Sequence, residues 1–311
     1  MKSKRIIGVL AGVVVFLGLA ILAWASTAGL LGPSAKQAST PNAADIGSRI
    51  LVAEGTVVVG EFANRPEEGP PREVAIPELW VMAHEVTNDQ FAMFVDATGY
   101  VTAAEVGYDD FGPGSTVFDP QELKSLSWAF VDNASWKAPL GPGSTIKGKG
   151  SYPVVHITAA DAKAYADWAG GRVPTEEEWE SIAIRGLPDP TNPRSGAFNV
   201  DGLPIANTWQ GVFPFLNTAD DGHRGAAPVG SFPPDKLGLY DVIGNVWELT
   251  SDVENGFTVI KGGSFLCAAN YCGRYRPAAR QPAEFSSSHL GFRIVFDNPP
   301  DERELYAKTA R

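Results

Sequence analysis

The sequence predicts one mixed α/β domain of irregular character, with little regular secondary structure. Three observations set that class. Short alternating apolar runs read as strands, three Thr-led capping boxes each open an amphipathic run that reads as a helix, and 33 glycines and 24 prolines crowd a chain of 311 residues. Those two residue types make about 18% of the chain against roughly 12% in average proteins, so turns and loops dominate. The length suffices to bury a sizeable core, and eight tryptophans supply aromatic anchors for loops packed on it. A net charge of −11, with no long basic run beyond the first five residues, argues against nucleic acid as a partner.

In chain order, Met1-Lys2-Ser3-Lys4-Arg5 carries three positive charges, and residues 6–25 are twenty residues without one. That run can span a bilayer as a helix. With no basic residue after it until Lys36, the N-terminus lies in the cytoplasm and the rest outside. Ala23-Trp24-Ala25 resembles a signal-cleavage site. The expectation is a membrane anchor at residues 1–25 with the main domain on the exported side, periplasmic or extracellular, and a secreted domain if that site is cut. Residues 26–48 read as a flexible linker, 49–298 as the domain, and 299–311 as a tail.

Thr56-Val57-Val58-Val59-Gly60 and Arg72-Glu73-Val74-Ala75-Ile76 read as strands joined by a Pro- and Glu-rich turn at residues 65–71. Thr87-Asn88-Asp89-Gln90 is a capping box, followed by Phe91, Phe94 and Val95 on one face and Gly99 as a stop. Thr158-Ala159-Ala160-Asp161 opens a second helix, with Tyr165 and Trp168 inward and Gly170 at its end. Thr175 caps a third, with Glu178 reaching back and Trp179 and Ile182 buried. Acidic residues in each first turn suit the helix dipole. Residues 100–152, and most of the chain after 186, read as loop. Gly-Pro-Gly-Ser-Thr occurs twice, from Gly112 and from Gly141, as recurring turn chemistry. Val259-Ile260-Lys261 and Phe292-Arg293-Ile294-Val295 read as strands flanking a loop that holds the only two cysteines.

Cys267 and Cys272 are five apart, which separates them on a helix or a strand, so they meet only across a turn. Ala268, Ala269 and Asn270 permit that turn, and Gly262 and Gly263 let the backbone bend before it. Three chemistries fit two convergent thiols: a small-loop disulfide, a redox pair, or a soft metal. Zinc usually takes four Cys or His ligands, whereas His84, His156, His223 and His289 are scattered singly. Copper(I) is selected by thiolates and accepts low coordination. On spacing alone, one stabilising disulfide in an exported protein is the ordinary outcome.

The segment Gly262-Gly263-Ser264-Phe265-Leu266-Cys267, with Asn270-Tyr271-Cys272-Gly273-Arg274-Tyr275-Arg276, closely resembles the active-site segment of the formylglycine-generating enzymes, the sulfatase-modifying factors. The likeness extends to Gly244-Asn245-Val246-Trp247-Glu248, Ala206-Asn207-Thr208-Trp209-Gln210-Gly211, Gly171-Arg172-Val173-Pro174 with the helix after it, and His84-Glu85-Val86-Thr87-Asn88. It spans about residues 50–298 and leaves out the N-terminal run. The helix and Gly-Asn-Val-Trp-Glu pieces specify the fold, and the cysteine pair with Ser264 discriminates the chemistry.

The resemblance implies the formylglycine-generating-enzyme, C-type-lectin-like fold as a single domain, and a monomer. It implies an oxidase that converts a cysteine in a Cys-x-Pro-x-Arg segment of an unfolded sulfatase to Cα-formylglycine. Cys267 and Cys272 would hold copper(I), the substrate thiolate would complete the coordination, and dioxygen would oxidise it to a thioaldehyde that water hydrolyses. Ser264 matches the family's active-site serine; by itself it reads as a serine satisfying the turn. Trp247, Tyr271 and Arg276 are implied substrate contacts, although an isolated aromatic is as readily plain core. Calcium positions map to Asn207, Thr208, Asp221 and His223, the last through its backbone oxygen, and to Asp241, Gly244, Val246 and Glu248. Without the family, Asp220-Asp221-Gly222 reads as an ordinary turn and Glu248 as a surface charge. Ala268 stands where relatives often have His, residues 247–261 are few, and Val253 replaces a usual aromatic. Ala166, Pro277 and Ile294 occupy disulfide positions of animal members, leaving both thiols without a competing partner. The alternatives are a non-catalytic binding module of this fold with Cys267 and Cys272 as a disulfide, and an exported copper-binding protein without oxidase activity.

Overall fold

Valine-rich alternation opens the folded part. In the computed structural model, which describes residues 47–109, 111–118 and 128–300, β1 (Arg49–Val52), β2 (Gly55–Val59), β3 (Arg72–Ile76) and β4 (Leu79–Met82) come first. β2 and β3 pair antiparallel, Thr56 opposite Ala75 and Val59 opposite Arg72, across the expected turn, which holds a short 3-10 segment at Pro66–Glu68. β1 pairs antiparallel with β4. The anchor expected at residues 1–25, the linker as far as residue 46 and the tail beyond residue 300 lie outside the described residues. Among the described residues, no helix is long and apolar enough to cross a membrane.

The helices are α1 (Asn88–Thr98), α2 (Ala103–Val106), α3 (Ala159–Ala169) and α4 (Glu176–Gly186). Each expected cap forms. The Gln90 amide donates to the Thr87 hydroxyl at 3.3 Å while the Thr87 amide donates to Gln90 Oε1 at 2.8 Å, and Thr158 with Asp161 and Thr175 with Glu178 repeat the exchange. Gly99 and Gly170 close α1 and α3 with φ of 71° and 75°, a left-handed turn that glycine makes without a Cβ clash. Residues 100–152 hold more structure than the sequence suggests. α2 and the antiparallel pair β5 (Gly114–Val117) and β6 (Ala129–Asp132) lie there, each too short to show a period.

β7 (Gly211–Val212) and β8 (Leu216–Asn217) make a small hairpin. β9 (Trp247–Glu254), β10 (Phe257–Lys261), β11 (Arg280–Ala283) and β12 (Leu290–Gly291) form one sheet in the order β11-β10-β9-β12, and β13 (Val295–Phe296) completes a second, β1-β4-β13. The strand expected at 292–295 is therefore corrected. β12 runs parallel to β9, β13 pairs with β4, and residues 292–294 cross between the sheets. Phe292, Arg293 and Ile294 are all buried. A segment between two sheets has no solvent face, so alternation gives no clue to where it breaks.

The main core gathers around Phe91, whose ring lies 5.2 Å from Trp136 and 5.4 Å from Phe94, with Tyr165 stacked beside it and Phe292 edge-on to both. Buried ion pairs tie that core together. Glu248, read from the sequence as a surface charge, is fully buried: Arg293 grips it at 2.6 and 2.7 Å, and the Trp179 indole donates to it at 2.8 Å. Arg293 also donates to the Tyr240 carbonyl at 2.9 Å. Lys261 pairs with Glu180 at 2.7 Å, and Glu180 accepts the Gly60 amide.

Removing one partner of a buried pair strands the other charge, at a cost of about 3 to 5 kcal/mol. Arg293→Ala is accordingly expected to lower the melting temperature by about 10 °C, read by calorimetry or circular dichroism. A change within about 2 °C would show that this pair does not hold the sheets together.

Candidate functional site

Residues 262–279, the connection from β10 to β11, carry both cysteines. Gly262 and Gly263 enter it at φ 92° and 76°. A Cβ on Gly263 would lie 2.9 Å from the Arg274 carbonyl, and one on Gly262 would lie 2.8 Å from the Val242 carbonyl, so the loop closes on itself only over bare backbone. Inside it, Cys267 N–H donates to the Ser264 carbonyl at 2.8 Å, and Tyr271 and Gly273 N–H both donate to the Ala268 carbonyl, at 3.2 and 2.9 Å. Trp209 N–H donates to the Cys267 carbonyl and Phe265 N–H to the Asn245 carbonyl, pinning the turn to its neighbours.

The turn brings the two cysteines together as free thiols, Cys267 buried and Cys272 partly open. The two thiols act on each other from different depths, and this asymmetry separates their acidities. The bond from Cys267 brings the Cys272 thiol down to about 7 against the opposing effect of burial, helped by the Arg274 and Ala268 amides and the Arg274 charge. Burial, and then the neighbouring Cys272 sulfur, push Cys267 well up. Around neutrality Cys272 begins to ionise while Cys267 keeps its proton, so negative charge develops toward the open side. The donor set is the one a soft cuprous ion selects.

Of the other expected contacts, Tyr271 is 62% exposed and stacked on Phe213 at 4.4 Å. Arg276 is 2% exposed, with its guanidinium on both Glu68 oxygens at 2.8 and 2.9 Å and on the Phe62 carbonyl at 2.9 Å. It clamps the cysteine loop to the Pro66–Glu68 turn. Trp247 is likewise core, 2% exposed among the main cluster. Ser264 is buried, and its hydroxyl accepts the Leu266 amide at 3.3 Å.

The calcium candidates fall into two groups. Both Asp221 oxygens accept amides, from Thr208 at 3.1 Å and His223 at 2.9 Å, while Asn207 donates to Asn245 at 3.0 Å. Asp241 accepts the Gly230 amide at 2.6 Å, and burial pushes its carboxyl up to about 6. Gly244 turns beside it at φ 86°, Val246 is buried, and Glu248 has both oxygens engaged by Arg293. The residue that sequence reasoning missed here is Glu85. It is fully buried, one oxygen accepts from Asn245 at 3.0 Å, the other has no protein partner, and burial followed by Asp241 and Glu248 pushes its carboxyl well up. Glu85 and Asp241 are both pushed up chiefly by burial and further by Glu248, with Arg293 opposing. Among the described residues, no three His, Cys, Asp or Glu side chains converge in a metal-holding geometry, so backbone oxygens would have to supply the remaining ligands.

Residues 34–298 match the sulfatase-modifying factor enzyme 1-like domain. The formylglycine-generating enzyme of Thermomonospora curvata is 42% identical over 259 residues, covering 74% of this chain and 86% of its own. An inactive Cα-formylglycine-generating enzyme 2 of Bos taurus is 38% identical over 257 residues, covering 77% and 84%. Among solved structures, PvdO from Pseudomonas aeruginosa shares the fold with a TM-score of 0.60 at 21% identity, covering 83% of this chain and 97% of that one.

Only a thiolate is alkylated. Iodoacetamide acting on the metal-free protein is expected to modify Cys272 at a rate rising through about pH 7, with Cys267 untouched, as peptide mapping by mass would show. Cys267→Ala removes the hydrogen-bond donor and should move that midpoint up toward about 8.5, the range of a free thiol. A midpoint unmoved by that substitution would refute the coupling of the two sulfurs.

Proposed function

The chain belongs to the sulfatase-modifying factor family and is an enzyme, and on that premise we propose that it converts a cysteine of unfolded sulfatase polypeptides into Cα-formylglycine, using dioxygen and copper(I) at a Cys-x-Pro-x-Arg segment. The observation that carries this reading is the pair of free, facing thiols, one of them poised to ionise near neutrality. A relative of nearly equal similarity is inactive, so the thiols, rather than the fold, are the ground for expecting oxidation.

Copper(I) held by Cys267 and Cys272 would supply the one-electron path that lets triplet dioxygen react with a thiol. Cys272 faces the open side, where a third sulfur can approach, and carries the charge there, while Cys267 stays protonated on the buried side. The amides of Ala268 and Arg274 stabilise that charge without competing as ligands. In the net reaction the substrate CH2–SH loses two hydrogens to become a thioaldehyde, and water then replaces sulfur with oxygen and releases hydrogen sulfide. Dioxygen ends as water, taking two electrons from the substrate and two from an external thiol reductant. The disulfide-linked binding module is disfavoured by the free thiols.

The proposal extends to two structural calcium ions, at Asn207, Thr208, Asp221 and His223 and at Asp241, Gly244, Val246 and Glu248. The orphaned oxygen of Glu85 beside Asp241 supports the second. It also extends to a monomeric domain on the exported face of a membrane, tethered through residues 1–25, where emerging chains are still unfolded.

The direct test is mass measurement of a Cys-x-Pro-x-Arg peptide incubated with the protein, copper, a reductant and air. Formylglycine is expected, and Cys272→Ser should cut turnover by at least about a hundredfold, more than the loss of an outer-shell partner. An unmodified peptide would leave a copper-binding protein without oxidase activity. For calcium, a hundredfold excess over Kd stabilises by about 2.7 kcal/mol. The melting temperature of the wild type is expected to rise with calcium and that of Asp241→Ala to rise less; identical responses would discard the site at Asp241.

A further inference from the structure

The β7–β8 hairpin, joined to the cysteine turn through Phe213 and Tyr271, is left unused by the proposed chemistry. Residues 207–218 contain no charged side chain, in a chain of net charge −11. Val212, Phe215 and Leu216 are 52%, 68% and 55% exposed. Val212 and Leu216 are cross-strand partners, so their side chains share a face, and Phe215 lies in the loop between them. Single apolar residues scattered on a surface are ordinary, but three together in seven residues mark a contact surface.

This surface is rigid. The Trp209 indole donates to the Leu216 carbonyl at 3.0 Å, Phe215 N–H to the Val212 carbonyl at 2.8 Å, and Thr218 N–H to the Gln210 carbonyl at 2.9 Å. Phe213 turns inward, with its ring 5.0 Å from Trp209 and 5.4 Å from Phe118. A preformed surface of this kind loses little conformational freedom on binding. It is also one body with the thiol turn. Phe213 stacks on Tyr271, and the Asn270 side chain accepts from the Phe213 amide at 3.3 Å and donates to its carbonyl at 3.4 Å. Tyr271 is the residue before Cys272.

We infer that this hairpin is a docking platform for an apolar side chain of the substrate polypeptide, within a few residues of the cysteine to be oxidised; the inference rests on the function proposed for Cys267 and Cys272. An extended chain advances about 3.3 Å per residue, so one that brings its sulfur to Cys272 and leaves past Tyr271 crosses Phe213 and reaches Val212 and Leu216 within that span. A lipid surface is the weaker occupant. Interfacial segments pair their apolar face with Lys or Arg, and this hairpin has neither.

The test uses the full chain and peptides with a Cys-x-Pro-x-Arg core, in which a leucine is scanned through the four positions on each side in a serine background. Both kcat/KM for formylglycine and binding by fluorescence anisotropy are measured. Wild type is expected to favour leucine at one or two adjacent positions by about tenfold, the scale of one apolar contact. That ratio should fall toward one in Phe215→Ser/Leu216→Ser and persist in Val200→Ser, an exposed residue outside the hairpin. Both substituted side chains face solvent, and an unchanged melting temperature verifies folding. No leucine preference in wild type, or one that survives in the double variant, overturns the platform. Flotation with lipid vesicles, or dimerisation on sedimentation, that the double variant abolishes while peptide preference is absent would reassign the surface and overturn it equally. If no peptide is oxidised but anisotropy shows a hairpin-dependent leucine preference, the platform stands and the oxidase reading fails.

Discussion

The structure depends on one buried ion pair, Glu248 with Arg293. Glu248 comes from the middle sheet strand β9, Arg293 from the segment crossing to the second sheet, and their remaining bonds reach the Trp179 indole of α4 and the Tyr240 carbonyl. A buried charge is tolerated only where its partner and its other hydrogen bonds are all in place. The pair therefore acts as an address that only one arrangement of two sheets and a helix can satisfy. In a fold this poor in long strands and helices, such addresses substitute for regular pairing. Lys261 with Glu180 and Arg276 with Glu68 do the same work nearer the site.

The site inherits its geometry from these constraints. Arg276 anchors the far end of the cysteine loop, Gly262 and Gly263 allow its near end to close over Val242 and Arg274, and Asn245 and Trp209 fix its middle. Two sulfurs are thus held at different depths. The bond from Cys267 makes Cys272 an acid near neutrality against the effect of its partial burial, while deeper burial leaves Cys267 protonated. A pair lying equally in solvent would lack that asymmetry, and with it the direction in which charge faces an incoming thiol.

Much of this was legible residue by residue. The caps at Thr87, Thr158 and Thr175 and the stops at Gly99 and Gly170 appear where local hydrogen bonding demands them. The β2–β3 pair follows from its alternation. The placements that local reading missed share a cause. Arg276 and Trp247 lie in stretches that resemble an active site, yet their side chains point into packing whose partners, Glu68 and the main core, lie far away in sequence. Glu248 looked like a surface charge because nothing local announces Arg293, 45 residues on. Glu85 drew no notice because an unpartnered oxygen is defined only by what surrounds it.

What the sequence determined by itself is whatever short range decides: helix ends, turn glycines, the loop-rich α/β character, and two cysteines spaced to meet only across a turn. What the tertiary structure alone decided is which charges are buried, which aromatic faces solvent, and how far the two thiols differ in acidity. The physical reason is that burial is a property of the whole packing. Cys267 and Cys272 are the same residue type five positions apart, and only the elements packed around them from distant parts of the chain make one a donor and the other a nascent thiolate.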